Sequence, residues 1–234
     1  MSKGRTQRFL VVGLFLIGAT LLGKGLYMQA KAHFAQYLIE QAWTKTLADG
    51  QSHKPWSWAD TYPVAKLSFY REQAANSDIE AELNDSLYVL AGASGRNLAF
   101  GPSLVLSSAP AGQKGNTVIA GHRDTHFAIL NGMAVGRRLS LQTLKGNHII
   151  YEVVATQVVN ETETQFMARS ADNRLTLITC YPFDALQGGA ELRFVVQAIP
   201  VEDESMDTTS ADVSASTGNG MQGKVASVSR SFTH

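Results

Sequence analysis

Three residues of the types that carry out acyl transfer stand next to predicted strands in this chain. Cys180 is the only cysteine among the 234 residues, and it ends the β-branched, apolar run 175–179. Tyr181-Pro182 then stops the strand, because proline lacks the amide hydrogen that a sheet ladder needs. A thiol at a rigid strand end that opens into a loop is suited to nucleophilic attack. Most free cysteines instead fill core volume as small hydrophobes, so the thiol needs partners before a reaction is inferred.

His122 and Arg193 are the candidate partners of this thiol. His122 follows Gly121 at the end of the predicted strand 117–120. Histidine can take the proton of a thiol or stabilise a thiolate near neutral pH. Arg193 opens the predicted strand 192–198, whose period-two alternation puts the large apolar residues on the opposite face. A cation there can hold a peptide backbone or an oxyanion, although a lone arginine at a strand start is commonly only solvated.

The chain around these residues has the pattern of short strands separated by glycine-rich turns. The candidate strands are 64–69, 87–91, 104–106, 117–120, 138–141, 148–159, 175–179 and 192–198. Eight such strands predict an all-β domain, either an antiparallel sandwich or a closed barrel. Residues 71–84 are expected to contain one short helix. The acidic tail 201–234 is rich in Ser, Thr and Gly and is expected to be disordered, because it has almost nothing to bury.

The N-terminus predicts a membrane segment. Residues 9–23 are uncharged and mostly apolar, and they follow three cations. Because a lysine can snorkel to the headgroups, Lys24 allows a transmembrane anchor over residues 9–28, behind a basic cytoplasmic segment 1–8. The competing interpretation is a cleaved signal peptide. Both interpretations place residue 33 and those after it outside the cytoplasm, because the N-terminal cations stay inside.

A helical stalk is predicted between the anchor and the folded domain. Residues 26–48 have the spacing of an amphipathic helix that Asp49-Gly50 would end, so we assign the stalk to residues 29–53. The loop that follows is bounded by prolines and contains two tryptophans. We expect these to pack on the domain or to lie at the membrane interface, and we begin the domain, 54–200, at this loop.

The predicted compartment and the charge of the chain reduce the number of functions that the chain could have. Outside the cytoplasm most thiols are paired, so the single cysteine of this chain is either reactive or paired with another molecule. The chain has 20 basic and 20 acidic residues. It has no basic face or run of the kind that nucleic-acid binding requires, so we exclude nucleic acid as a partner.

The order of the motifs is similar to that of the sortases, cysteine transpeptidases that act on the sorting signals of surface proteins. The matching residues are Gly121-His122, the run T-L-I-T-C that ends at Cys180, and Arg193 at the next strand start. The longer runs A-G-A-S-G-R-N-L-A-F-G-P, A-G-H-R-D-T-H-F, T-C-Y-P-F-D-A-L and K-P-W-S-W-A-D-T-Y-P-V-A-K-L resemble the class D-like sortases found in proteobacteria. The resemblance covers about residues 54–199. It implies an all-β, eight-stranded sortase-type barrel with the three side chains along one groove.

The resemblance also implies a role for each of these residues. Cys180 would attack the Thr–Gly carbonyl of an LPxTG-like sorting signal and form a thioester. His122 would protonate the leaving amine and later deprotonate an incoming amine. Arg193, with Thr179, would contact the substrate backbone or the developing oxyanion.

The partners implied by the resemblance are a secreted protein with a C-terminal LPxTG-like signal, an amine acceptor and membrane lipid. The implied location is the cell (inner) membrane, as a single-pass protein with its catalytic domain on the extracytoplasmic side. This location agrees with the independent interpretation of the N-terminus.

Alternatives remain open for the site and for the reaction. Asp124 and His126 in the run H-R-D-T-H suggest either partners that orient His122 or metal ligands. No third histidine with matching spacing follows, so we expect no metal and no cofactor. The same residues would serve a cysteine peptidase that only hydrolyses the signal. A non-catalytic peptide-binding barrel is the third hypothesis, and the thiol argues against it because binding alone needs none.

Overall fold

The computed structural model describes residues 3–70, 83–185 and 189–201. The predicted disordered tail therefore lies outside the described residues, apart from Val201. The short helix predicted within 71–84 also lies outside them, except that its last two residues belong to a strand.

The N-terminal segment forms one uninterrupted helix, α1 (Lys3–Asp49), which contains both the predicted anchor and the predicted amphipathic helix. This helix is long and apolar enough to cross a membrane, and the side chains of its apolar stretch are exposed. The helix ends at Asp49, as the sequence predicts. Gly50 takes a φ of 72°, the left-handed conformation that glycine adopts without a steric penalty, and its N–H donates to the Thr46 carbonyl at 2.9 Å.

The last turns of α1 pack on the folded domain. Ile39 and Trp43 are 1% and 3% exposed. The indole Nε1–H of Trp43 donates to Gln142 Oε1 at 3.3 Å, and Gln36 Nε2 donates to the Phe100 carbonyl at 2.6 Å. The C-terminal part of the predicted stalk is therefore a helix that packs against the folded domain.

Eight strands close into a barrel, which confirms the all-β prediction and decides between its two architectures. The strands are β1 (Pro63–Tyr70), β2 (Leu83–Ala91), β3 (Ser103–Leu104), β4 (Gly115–Ala120), β5 (Arg138–Thr143), β6 (His148–Asn160), β7 (Asn173–Tyr181) and β8 (Leu192–Pro200). Their order around the barrel is β1-β2-β3-β4-β7-β8-β6-β5, and β5 pairs with β1. The pairs β2–β3 and β4–β7 are parallel and the others are antiparallel. The connections include α2 (Gly95–Leu98) and two 3₁₀ helices, His126–Leu130 and Thr164–Met167.

The buried faces of β7 and β8 determine which of their residues point outward. Leu175 and Leu177 on β7 are fully buried in the core, and Leu177 lies opposite the buried Val196 of β8. Successive side chains of a strand point to opposite faces, so Cys180 belongs to the outer face of the barrel. A one-residue slip would turn the apolar side chains outward, and each buried one contributes about 1.5–3 kcal/mol. The core therefore fixes the orientation of the thiol.

The strand β3 has only two residues and pairs with β2 at Leu90 and Ala91.

A 3₁₀ helix lies at the end of the barrel that carries Cys180. The 3₁₀ helix His126–Leu130 follows β4, and its Phe127 and Leu130 are fully buried. The segment that carries His122 is therefore anchored in the core on its C-terminal side.

Candidate active site

The pairing of β7 with β8 brings Cys180 and Arg193 together. The two residues lie directly opposite each other in the antiparallel register. Cross-strand partners of this kind project from the same face, with Cβ atoms about 4.5–5.5 Å apart. Cys180 is a free, half-buried thiol. Two of the three residues that the sequence analysis selected are therefore nearest neighbours across one strand pair.

The parallel pairing of β4 with β7 places the backbone of His122 next to the backbone of Cys180. Ala120 pairs with Ile178, so the chain two residues further along each strand reaches His122 and Cys180. Two hydrogen bonds continue the pairing past the end of β4. Gly121 N–H donates to the Ile178 carbonyl at 3.1 Å, and the Thr179 hydroxyl donates to the Gly121 carbonyl at 2.8 Å.

The Thr179 side chain forms a hydrogen bond with the backbone in this structure. Its side chain is 2% exposed, and its single hydroxyl hydrogen is donated to the Gly121 carbonyl. A hydroxyl has only one hydrogen to donate, so in this arrangement Thr179 positions the turn before His122. Its contact with substrate or with an oxyanion stays a prediction.

Gly121 is required by close packing. A Cβ at this position would lie 2.7 Å from two ring atoms of Phe127, nearer than carbon atoms approach in proteins. The Phe127 N–H donates to the His122 carbonyl at 2.9 Å, so the ring and the turn hold each other. The Gly-His pair noticed in the sequence therefore has a steric cause: only a residue without a side chain lets the turn pack on this ring.

Arg123 ties the turn after β4 to the loop after β7, and the sequence analysis missed it. Its side chain is 8% exposed, and its Nη2 donates to the Ala185 carbonyl at 3.1 Å. The same loop is held by a cluster of rings, in which Phe183 contacts Tyr181 and Phe194 at centroid distances of 6.1 and 5.5 Å. The backbones on both sides of the candidate nucleophile and base are therefore linked. An arginine next to a histidine gives no sequence signal for burial.

The guanidinium of Arg193 is held by three acceptors. It donates to Glu161 Oε2 at 2.7 Å, to the Leu192 carbonyl at 3.0 Å and to the Ala190 carbonyl. The backbone N–H of Glu161 donates to the Glu191 carbonyl at 2.7 Å, and this hydrogen bond fixes the position of Glu161. Side-chain exposures of 27% and 48% make this a partly solvated ion pair, which contributes little stability but restricts the arginine to one orientation. No motif marks Glu161, because it meets Arg193 only through the β6–β8 pairing.

Asp124 and His126 lie close to His122 in sequence but make no hydrogen bond to its side chain among the described residues. Asp124 is exposed. His126 is half-buried, with its Nδ1 3.4 Å from the Thr125 hydroxyl. Burial, and secondarily the charge of His122, lower the pKa of His126. The proposed orientation of His122 by either residue stays a prediction.

The arrangement has the parts that acyl transfer through a thiol requires. The thiol of Cys180 and the guanidinium of Arg193 belong to directly opposed residues of β7 and β8, and His122 lies in the turn after β4, at the same end of the barrel. Acyl transfer needs a thiolate, a group that moves a proton and a donor for the developing oxyanion. Each of the three residues can supply one of these functions.

Comparisons with known proteins agree with this chemistry. The family model described as the sortase domain matches residues 79–201, slightly more than half of the chain. Sortase D of Bacillus subtilis is 30% identical over 134 residues, which cover 56% of this chain and 67% of that protein. Sortase A of Listeria monocytogenes is 26% identical over 183 residues, covering 73% and 80%. The solved structure of sortase A from Corynebacterium diphtheriae shares the fold with a TM-score of 0.50 at 22% identity, covering 76% of this chain and 88% of that one.

Proposed function

Because the chain belongs to the sortase family, whose members are cysteine transpeptidases acting on sorting signals, we propose that Cys180 is its nucleophile. Its thiolate attacks the Thr–Gly carbonyl of an LPxTG-like signal at the C-terminus of a secreted protein. The observation that carries the proposal is the register, which sets Cys180 opposite Arg193 and level with the chain at His122.

The reaction has two halves that share one proton carrier. In the first, the S–C bond forms, the C–N bond of the Thr–Gly peptide breaks, and His122 gives its proton to the leaving amine. In the second, an acceptor amine attacks the thioester, the Cys180 thiolate leaves, and His122 takes the proton of the new amide nitrogen. Splitting the transfer in this way replaces one difficult step by two easier ones.

Arg193 holds the substrate backbone or the oxyanion of each tetrahedral intermediate. Its planar fork can keep the contact to Glu161 through one edge while another N–H reaches the substrate. The ion pair at 2.7 Å supports this role, because a restrained guanidinium loses less conformational freedom when the transition state forms.

The helix α1 anchors the enzyme to the cell (inner) membrane as a single span, with the barrel on the extracytoplasmic side. The apolar and exposed first half of the helix supports this location, as do the cations that precede it. An anchored enzyme meets its membrane-bound substrates in two dimensions, which raises their effective concentration.

The test is product analysis with the full-length protein in detergent. A peptide that contains an LPxTG sequence is incubated with and without an added primary amine, and the products are separated by mass. We expect cleavage between Thr and Gly, an amide product only when amine is present, and no product from Cys180→Ala. Hydrolysed peptide alone at every amine concentration would favour the peptidase, and no cleavage would favour the non-catalytic barrel.

A further inference from the structure

An exposed tryptophan follows α1 in the chain. Trp58, in the loop between α1 and β1, is 76% exposed, although tryptophan side chains are highly buried on average. Its ring contacts that of Trp56 at a centroid distance of 5.4 Å, and the Trp56 ring contacts that of Phe100 at 5.1 Å. Of the two tryptophans in this loop, Trp56 therefore packs on the domain, whereas Trp58 projects from it.

The helix α1 fixes the distance of these rings from the predicted membrane anchor. Gln36 Nε2 donates to the Phe100 carbonyl at 2.6 Å, so the residue that Trp56 contacts is bound to the helix. About 12 Å of helix, at a rise of ~1.5 Å per residue, separates Gln36 from Met28, the last residue of the predicted anchor. The headgroup layer outside the hydrocarbon core is itself ~5–8 Å thick, and membrane helices tilt by ~20° on average. A ring that projects from the Phe100 side of the domain is therefore within reach of the headgroups.

The helix exposes aromatic rings at the same level. Phe34 and Tyr37 lie on either side of Gln36 in the sequence, both are exposed, and their rings stack at a centroid distance of 6.5 Å. Tyrosine and tryptophan are enriched where membrane proteins cross the headgroup layer, because their rings combine an apolar body with a polar edge. The helix and the neighbouring loop therefore present aromatic residues at a similar distance from the anchor.

The charges of the loop suit a phospholipid surface. Lys54 and Asp60 are the only charged residues in the segment 54–60, and Lys54 is exposed. The Asp60 carboxylate is paired with the Arg96 guanidinium at 3.2 Å, which offsets its charge. The segment therefore presents a cation and an apolar ring, a combination that binds phosphate headgroups and the adjoining acyl chains.

We propose that Trp58 inserts into the headgroup layer of the bilayer that α1 spans, and that this second contact holds the barrel in one orientation on the membrane. The inference rests on the proposed membrane location of α1, but not on the reaction at Cys180. A lipid surface is the partner because the exposed ring is continuous, through Trp56, Phe100 and Gln36, with the helix that crosses the bilayer. Since α1 is uninterrupted, the contact sets the tilt of the helix and of the barrel together.

The test measures whether the indole of Trp58 lies in a bilayer. Full-length protein is reconstituted into phosphatidylcholine vesicles, with ordinary acyl chains or with chains brominated near the headgroup, and the tryptophan emission is recorded. Bromine quenches only nearby indoles, and the tryptophans of the chain are Trp43, Trp56 and Trp58, so the anchor adds no signal. The fraction of emission that brominated lipid removes should fall about twofold or more in Trp58→Phe, because Trp43 is buried and lies roughly 22 Å along the helix from Met28.

A matched control moves the exposed indole to the other end of the packed helix. Leu144 is an exposed residue in the turn that follows Gln142, whose side chain accepts the Trp43 N–H. The double variant Trp58→Phe with Leu144→Trp has as many tryptophans as the wild type, but its exposed indole lies farther from the anchor. Quenching of this protein should stay at the level of Trp58→Phe alone.

The outcomes separate this inference from the proposed location. Equal quenching of wild type and Trp58→Phe, in protein that floats with the vesicles, would overturn the second contact and leave the anchor standing. Stronger quenching of the double variant than of Trp58→Phe alone would overturn the orientation. Protein that does not float with the vesicles would overturn the membrane location and this inference with it.

Discussion

The substitution Gly121→Ala tests whether the turn before His122 is held by packing. The added Cβ would lie 2.7 Å from the Cγ and Cδ2 atoms of Phe127 and 3.1 Å from its Cδ1. The Phe127 side chain is fully buried in the core, so the ring has no open space into which it can rotate. Either the ring or the turn must move.

The cost follows from these distances. Overpacking of a well-filled core typically costs about 1–3 kcal/mol. At about 2 kcal/mol, a domain of this size should melt roughly 4–8 °C lower. The turn carries His122, and a displacement of about 1 Å in a reacting group can cost on the order of 10²-fold in rate. We therefore expect the melting temperature and kcat for peptide cleavage to fall together.

The assay is thermal unfolding combined with cleavage kinetics, and it has an internal control. Gly95→Ala adds the same methyl group where nothing lies within 4 Å, so both quantities should stay close to wild type. Phe127→Ala in the Gly121→Ala background removes the clashing Cγ, Cδ1 and Cδ2 atoms, and the cycle with the two single variants should show a favourable coupling of about 1 kcal/mol or more. A Gly121→Ala protein that melts and turns over like wild type would refute the reasoning.

Three further predictions concern the arginine, its partner and the helix. Arg193→Lys should fold but lose about 10²-fold in turnover, since lysine lacks the planar fork; turnover within threefold of wild type would contradict the role. Glu161→Gln should leave the melting temperature nearly unchanged, because a partly exposed pair contributes about 0–1 kcal/mol, and yet lower kcat/KM severalfold; an unchanged kcat/KM would show that the pair does not orient Arg193. Removal of residues 1–32 should preserve cleavage of a soluble peptide. Removal of residues 1–48 also removes the buried Trp43 and should lower the unfolding free energy by several kcal/mol. Equal stability of the two truncated proteins in denaturant titrations would contradict this second prediction.

Local patterns predicted the strands, and they also selected the three candidate site residues, whose roles stay predictions. Each of the eight predicted strands overlaps one in the structure, because alternation and turn residues are local properties. The sequence could not distinguish a sandwich from a closed barrel, because closure depends on the pairing of β5 with β1, whose residues are distant along the chain. The helix α2 has four residues and was missed for lack of a periodic signal.

The supporting residues of the site were harder to predict than the principal ones. Cys180, His122 and Arg193 each stand at a strand end and have a residue type with its own chemistry. Glu161 and Arg123 are charged residues with no such mark, and their roles arise from partners 32 and 62 residues away. Only the register of the barrel reveals these contacts.

The most direct test of the account is to trap the thioester and locate it. Full-length protein is mixed with an LPxTG-containing peptide, quenched in acid within the first turnover, digested and analysed by mass spectrometry. We expect the acyl fragment that ends in threonine to be attached to the peptide containing Cys180, and no adduct to form on the His122→Ala protein at the same time point. An intact Cys180 peptide throughout turnover, together with product formed by Cys180→Ala, would contradict the central claim.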